Sequence, residues 1–146
     1  MTIAIGSDHA GFRYKQELGE FLRLQGHTVE DVGTYSLDSV DYPDFAAAVG
    51  RLVASKTADF GVLVCGSGIG VSITANKVRG VRAANCLTEE VARLARQHNN
   101  ANVVTLGERL VTLDAAKAIV QVCLTTSFEG GRHEKRVEKI HTLTDC

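Results

Sequence analysis

Five times along this chain a short β-branched or apolar run is followed by an amphipathic stretch, and that alternation constrains the fold more than any other feature. The runs fall at 2–6, 28–32, 60–64, 81–85 and 102–106, and the helical patterns at about 11–25, 43–56, 70–77, 88–98, 112–126 and 131–141. Strands separated by helices cannot pair as hairpins. They pair in parallel, and each crossover helix must cover one face of the sheet. The expected fold is therefore a doubly wound, three-layer α/β/α sandwich on a five-stranded parallel sheet, one domain over residues 1–146 without linker or repeat. Local signals agree. Tyr14, Leu18, Phe21 and Leu22 make an i, i+4, i+7, i+8 stripe that Gly26 terminates. Pro43 suits the first turn of the second helix, with Asp41 as its cap. Gly130-Gly131 separates the last helix, which is free to leave the body of the domain.

Composition narrows the function classes. A net charge of −1 provides no global field for nucleic acid or an anionic membrane, and the absence of tryptophan argues against a base-stacking surface. Cys65, Cys86, Cys123 and Cys146 are widely spaced without a zinc-ligand pattern, so reduced thiols and no metal are expected. With an N-terminal apolar run too short for a signal peptide and no membrane-length segment, a cytoplasmic protein is expected.

In doubly wound sheets ligands bind outside the carboxyl ends of the strands, and the polar punctuation of this chain falls there. The first strand ends in Ser7-Asp8-His9, the third in Cys65-Gly66-Ser67-Gly68-Ile69-Gly70 and the fifth in Gly107-Glu108-Arg109, while Asp41-Tyr42 follows the loop after the second. The glycine spacing is not that of dinucleotide folds and no Walker lysine follows, which disfavours NAD or ATP. A small glycine loop opening onto a helix suits a compact oxyanion, an enediolate or a phosphate. A thiol at its head is placed to act as base or nucleophile, with the Ser67 hydroxyl donating to the same oxygen; the alternative is a tight strand-to-helix connection with a buried cysteine. Cys86 and Cys123 read as core, and Cys146 as inert.

Asp8-His9 suits proton transfer or anion binding, or a simple helix cap. His98-Asn99 ends a basic helix, where the helix dipole alone would stabilise an imidazolium. His27 and His141 have no local partner and read as surface. Arg132 and Arg136 lie at i and i+4; they either fork a phosphate or pair with Glu129 and Glu134. His133 sits about 100° round the helix from Arg132 and receives no role.

Taken together, Asp8-His9-Ala-Gly, Asp41-Tyr42-Pro43, Cys65-Gly-Ser-Gly-Ile-Gly, Ala75-Asn76-Lys77, Arg96-Gln-His98-Asn99 and Glu129-Gly-Gly-Arg132-His-Glu-Lys-Arg136 resemble, end to end, the type B ribose-5-phosphate isomerase family and its galactose-6-phosphate relatives. The resemblance implies a Rossmann-like fold, a cofactor-free aldose–ketose isomerase of sugar phosphates, and a homodimer, with a tetramer as the larger assembly. It makes Cys65 the base that moves a proton between C2 and C1. The loop of Gly66, Ser67, Gly68, Ile69 and Gly70 would hold the cis-enediolate. His98 would open the furanose ring with help from Asp8, Asn99 would contact the sugar and Tyr42 would line the pocket. His9, Arg109, Arg132 and Arg136 would bind phosphate. Relatives without the cysteine carry a glutamate base just after the loop; Val71 stands there, leaving Cys65. His98 and the arginine pair favour a pentose phosphate over the galactose-6-phosphate class. Ser67 replaces a threonine common in cysteine-type members and keeps the hydroxyl.

One expectation is geometric. His98 ends the helix that precedes the fifth strand, so it lies at that strand's amino end, on the opposite rim from Cys65. A protomer about 25–30 Å across does not bring them together; a site using both needs a second copy related by two-fold symmetry.

Overall fold

The computed structural model describes residues 1–146. Strands β1 (Thr2–Ser7), β2 (Thr28–Asp31), β3 (Phe60–Cys65), β4 (Ala83–Asn85) and β5 (Val103–Gly107) form one parallel sheet in the order β2-β1-β3-β5-β4. Between them run α1 (Phe12–Leu24), α2 (Tyr42–Ala54), α3 (Ile69–Ala75) and α4 (Glu89–Asn99); α5 (Leu113–Thr125) and α6 (Arg132–Thr144) follow β5. The expected architecture holds, with shorter second and fourth strands: Val81 has left the ladder and is buried in the core.

The pleat divides the core in two, because successive strand side chains point to opposite faces. Ile3, Ile5, Phe60, Val62, Val64, Val104 and Leu106 face one way, against Leu18 and Leu22 of α1, Ala92 of α4 and Ile119 of α5. Ala4, Leu63, Cys65 and Val103 face the other, against Val49 and Val53 of α2 and Val71 and Ala75 of α3. All six β3 residues are buried, as a central strand covered on both faces requires. The helix α6 packs mainly on α4, outside the three layers.

Gly26, at φ +84°, ends α1 as the sequence predicts. Pro43 occupies the first turn of α2, but Asp41, although it is the N-cap residue, makes no side-chain capping bond. A buried ion pair was not foreseen. Lys15 of α1 is 1 % exposed and its Nζ lies 2.6 Å from both oxygens of Asp31 at the end of β2. Asp31 also accepts from the Gly33 amide, and Gly33 and Thr34 pair with Ser7. The lysine thus anchors the segment leading from β2 to the rim of the sheet. Removing one partner would leave the other charge buried and uncompensated.

Candidate active site

Strand order reverses beside β1, since β2 lies on one side and β3 on the other. Crevices form at such a switch point, and here a cavity of about 370 Å³ opens at the carboxyl ends of β1, β3 and β5. Asp8, His9, Tyr42, Cys65, Gly66, Ser67, Gly70 and Arg109 line it. Eight of the residues singled out from the sequence therefore meet in one chain. The guanidinium of Arg109 packs over Gly66, so this arginine belongs to the same copy as the thiol.

The loop after β3 is held from both sides. The Glu108 amide donates to the Cys65 carbonyl (2.9 Å) and the Arg109 amide to that of Gly66 (3.1 Å). The Gly68 N–H points at Cys65 Sγ, 3.1 Å away, and the Ile69 N–H at Ser67 Oγ, 3.3 Å away. Two loop amides are thus already directed at the side chains they surround. The Ser67 oxygen, used as an acceptor, has its hydroxyl hydrogen left to donate. Gly68 adopts φ +78°, and a Cβ there would lie 2.3 Å from Asn85 Oδ1, a buried atom without a hydrogen-bond partner. A Cβ on Gly70 would strike the Tyr42 ring at 2.6 Å. Bare backbone at these positions is what lets the loop lie between β4, β5 and Tyr42.

Asp8 does cap a helical turn: its Oδ1 accepts from the Ala10 and Gly11 amides at 3.0 and 3.1 Å. The same bonds fix the carboxylate at the edge of the cavity. The His9 Nδ1 lies 3.2 Å from the Val40 amide and 3.3 Å from its carbonyl, so the Val40 backbone orients the ring.

The structure does not bring His98, Asn99, Arg132 and Arg136 into this cavity. Asn99 lines a separate cavity with Arg82 and His141. Arg132 and Arg136 form no carboxylate pair, contrary to the alternative in which Glu129 and Glu134 neutralise them. Glu129 instead places Oε2 3.9 Å from His98 Nε2 and 3.8 Å from His133 Nε2. The two imidazoles stack, centroids 4.3 Å apart and planes 9° from parallel. These three residues carry metal-ligand atoms within 4.8 Å of one another. Nearly parallel rings, however, aim their lone pairs side by side rather than at a common centre. Burial, then the fields of His98 and Arg132, hold the His133 imidazole below its ordinary value, with Glu129 opposing and Arg136 reinforcing.

Sequence reasoning missed Glu129 and His133 as neighbours of His98; their i, i+4 spacing across Gly130-Gly131 was the available signal. It also misread His141, which is partnered by Arg82 (2.9 Å) and by the Cys146 carbonyl (2.6 Å). Cys86 and Cys123 are buried as expected, and all four cysteines are free. Hydrogen bonding to Cys86, then burial, pushes the Cys123 thiol up.

Comparison with known proteins now decides the family. The Ribose/Galactose Isomerase family profile matches residues 3–140. The chain belongs to that family. It is 47% identical to ribose-5-phosphate isomerase B of Escherichia coli, over 97% of this chain and 95% of that protein. The solved structure of ribose-5-phosphate isomerase B from Clostridium thermocellum superposes with TM-score 0.98 at 49% identity, covering 99% of this chain and 98% of the other. The Mycoplasma genitalium structure, solved with bound ribulose 5-phosphate, gives TM-score 0.95 at 44% identity, covering 99% and 96%. The family's fold is thus shared over the whole chain. No helix is long and apolar enough to cross a membrane.

Proposed function

We propose that this chain interconverts D-ribose 5-phosphate and D-ribulose 5-phosphate. The observation that carries the reading is the Cys65 sulfur, facing a cavity at the switch point with a loop amide, a fixed carboxylate and Arg109 around it, in a chain so similar to a relative solved with ribulose 5-phosphate.

The chemistry runs by proton transfers alone. Cys65, as thiolate, removes the C2 hydrogen of the open-chain aldose. The electron pair forms the C1–C2 double bond of an enediolate, whose oxygens meet the Ser67 hydroxyl and the loop amides. The thiol returns the proton to C1 while the O2 proton passes to O1, giving the ketose. His98 opens the furanose by taking the anomeric hydroxyl proton and protonating the ring oxygen, with Asp8 assisting and Asn99 contacting the sugar.

His98, Asn99, Arg132 and Arg136 reach this cavity from a second copy of the chain. A two-fold axis makes two such sites at once. The unpaired Arg132 and Arg136 support this, being available to a phosphate dianion that His9 and Arg109 hold from the other side. So does the apolar pair Ile69 and Ile73 on α3, 53 % and 59 % exposed beside the cavity. The working unit is then a homodimer acting in the cytoplasm.

A panel of ribose 5-phosphate, allose 6-phosphate, galactose 6-phosphate and erythrose 4-phosphate tests the assignment. The highest kcat/KM is expected for the pentose phosphate. Preference for a hexose phosphate would reassign the substrate, and binding without turnover of any would make the chain a phosphosugar sensor.

A further inference from the structure

The group formed by His98, Glu129 and His133 lies outside the Cys65 cavity, its two rings stacked and one carboxylate oxygen within 4 Å of both. The Glu129 amide donates to the Gln97 carbonyl at 3.1 Å, which ties the segment before α6 to the last turn of α4. One oxygen of its carboxylate lies nearly equidistant from the Nε2 atoms of the two stacked imidazoles. His133 is 7 % exposed, and its ring lies flat against that of His98. No group of the chain hydrogen-bonds to His98 Nδ1. We propose that Glu129 and His133 are positioning residues for His98, the carboxylate facing both Nε2 atoms and the second ring backing the first, so that His98 presents its Nδ1 edge to substrate.

A carboxylate facing one imidazole nitrogen favours the tautomer with its hydrogen there. The opposite nitrogen then carries the lone pair that accepts a sugar hydroxyl proton and returns it to the ring oxygen. Glu129 faces two imidazoles and could be divided between them. Burial first, then the fields around it, disfavour a proton on His133, and its side chain is the more enclosed of the two, 9 % exposed against 37 % for His98. His98 is thus the ring that is open to substrate while it shares the carboxylate. The stacked ring removes the remaining freedom, rotation about the Cβ–Cγ bond. This inference rests on the ring-opening role given to His98 above, but its geometric half can be read without catalysis.

The test uses Glu129→Gln, His133→Ala and His133→Phe in the full chain, each confirmed folded by circular dichroism. Ribulose 5-phosphate is acyclic because its 5-oxygen carries the phosphate, so exchange of its C1 hydrogen with D₂O needs Cys65 but no ring chemistry. Glu129→Gln and His133→Ala are expected to lower conversion of ribose 5-phosphate about 10-fold in kcat, less than the roughly 10²–10⁴-fold that a general acid–base group contributes itself, because His98 is retained. KM and D₂O exchange should change less than about twofold. His133→Phe keeps a flat ring behind His98 and should retain conversion within about threefold. Exchange and conversion falling together, or neither falling, overturns the positioning role. Side-chain ¹⁵N spectra at about pH 8.5, where imidazoles are neutral, should show His98 as the Nε2–H tautomer, and a tautomer mixture in Glu129→Gln. His98 as Nδ1–H in the wild type, or an unchanged tautomer in the variant, overturns the proposal whatever the kinetics. A wild type that neither converts nor exchanges the sugar phosphate counts against the proposed function alone.

Discussion

Replacing Gly68 by alanine tests whether the loop around Cys65 is held by close packing or merely by its turn. Two costs apply. The backbone at φ +78° is left-handed, which costs an alanine about 1–2 kcal/mol. The new methyl would also lie 2.3 Å from the buried Asn85 Oδ1 and 2.9 Å from the Leu106 carbonyl carbon. The second neighbour is backbone of the central sheet and cannot yield, so overpacking adds about 1–3 kcal/mol. Gly80 supplies the control: at φ +87° it carries the same strain, but a Cβ there meets nothing within 4 Å. Gly80→Ala should therefore cost about 1–2 kcal/mol, and Gly68→Ala about 2–5 kcal/mol in total. Urea unfolding at one fixed protein concentration measures both, read from the midpoints if the slopes match. Because part of the overpacking can be relieved by moving the loop amide off Cys65 Sγ, Gly68→Ala should also lose activity that Gly80→Ala keeps. Equal destabilisation by the two substitutions would refute the packing argument.

Other expectations follow from the placement of individual groups. Iodoacetamide on the native protein should modify Cys65 with protection by substrate and should leave Cys86 and Cys123 unlabelled: all three are buried, but only Cys65 lines the open cavity, and the Cys123 thiol is pushed up; peptide mass spectrometry reads this out. His133 is held below its unfolded value near 6.5, so the unfolded chain binds more protons, and its contribution to stability is present above that pH and lost as pH falls through the lower folded value. Thermal midpoints should therefore drop from pH 7 to pH 5 more steeply in the wild type than in His133→Phe. Mixing inactive Cys65→Ala with inactive His98→Ala chains should restore up to about a quarter of wild-type activity, since half the dimers are hybrids and each has one intact site; no recovery after verified subunit exchange would exclude a shared site.

The rim of the sheet was legible because its signals are local. Strand ends in Asp8-His9, Cys65-Gly66-Ser67 and Arg109 stand where any parallel sheet gathers its ligands, and alternation alone gave the sheet. The separation of His98 from Cys65 also followed, from chain direction rather than from side chains. What escaped depends on angles that sequence does not encode. The chain enters α6 through backbone at φ +65° and +55° at Gly130 and Gly131, and the Glu129 amide is bonded to the Gln97 carbonyl, which leaves Glu129 beside His98 rather than paired with Arg132. Lys15 interrupts no pattern on α1, so nothing announced that Asp31 would meet it. Asp41 has the residue type of a cap but not the side-chain bond. Asn85 lies under the glycine loop because β4 takes its place outside β5 in the sheet, an order that no local signal gives.

The central claim is that Cys65 moves the proton, and turnover of ribose 5-phosphate by Cys65→Ala measures it most directly. The account predicts a kcat reduced by roughly 10²–10⁴ with a smaller change in KM, together with loss of D₂O exchange into ribulose 5-phosphate. A kcat within about threefold of wild type, with exchange intact, would contradict it.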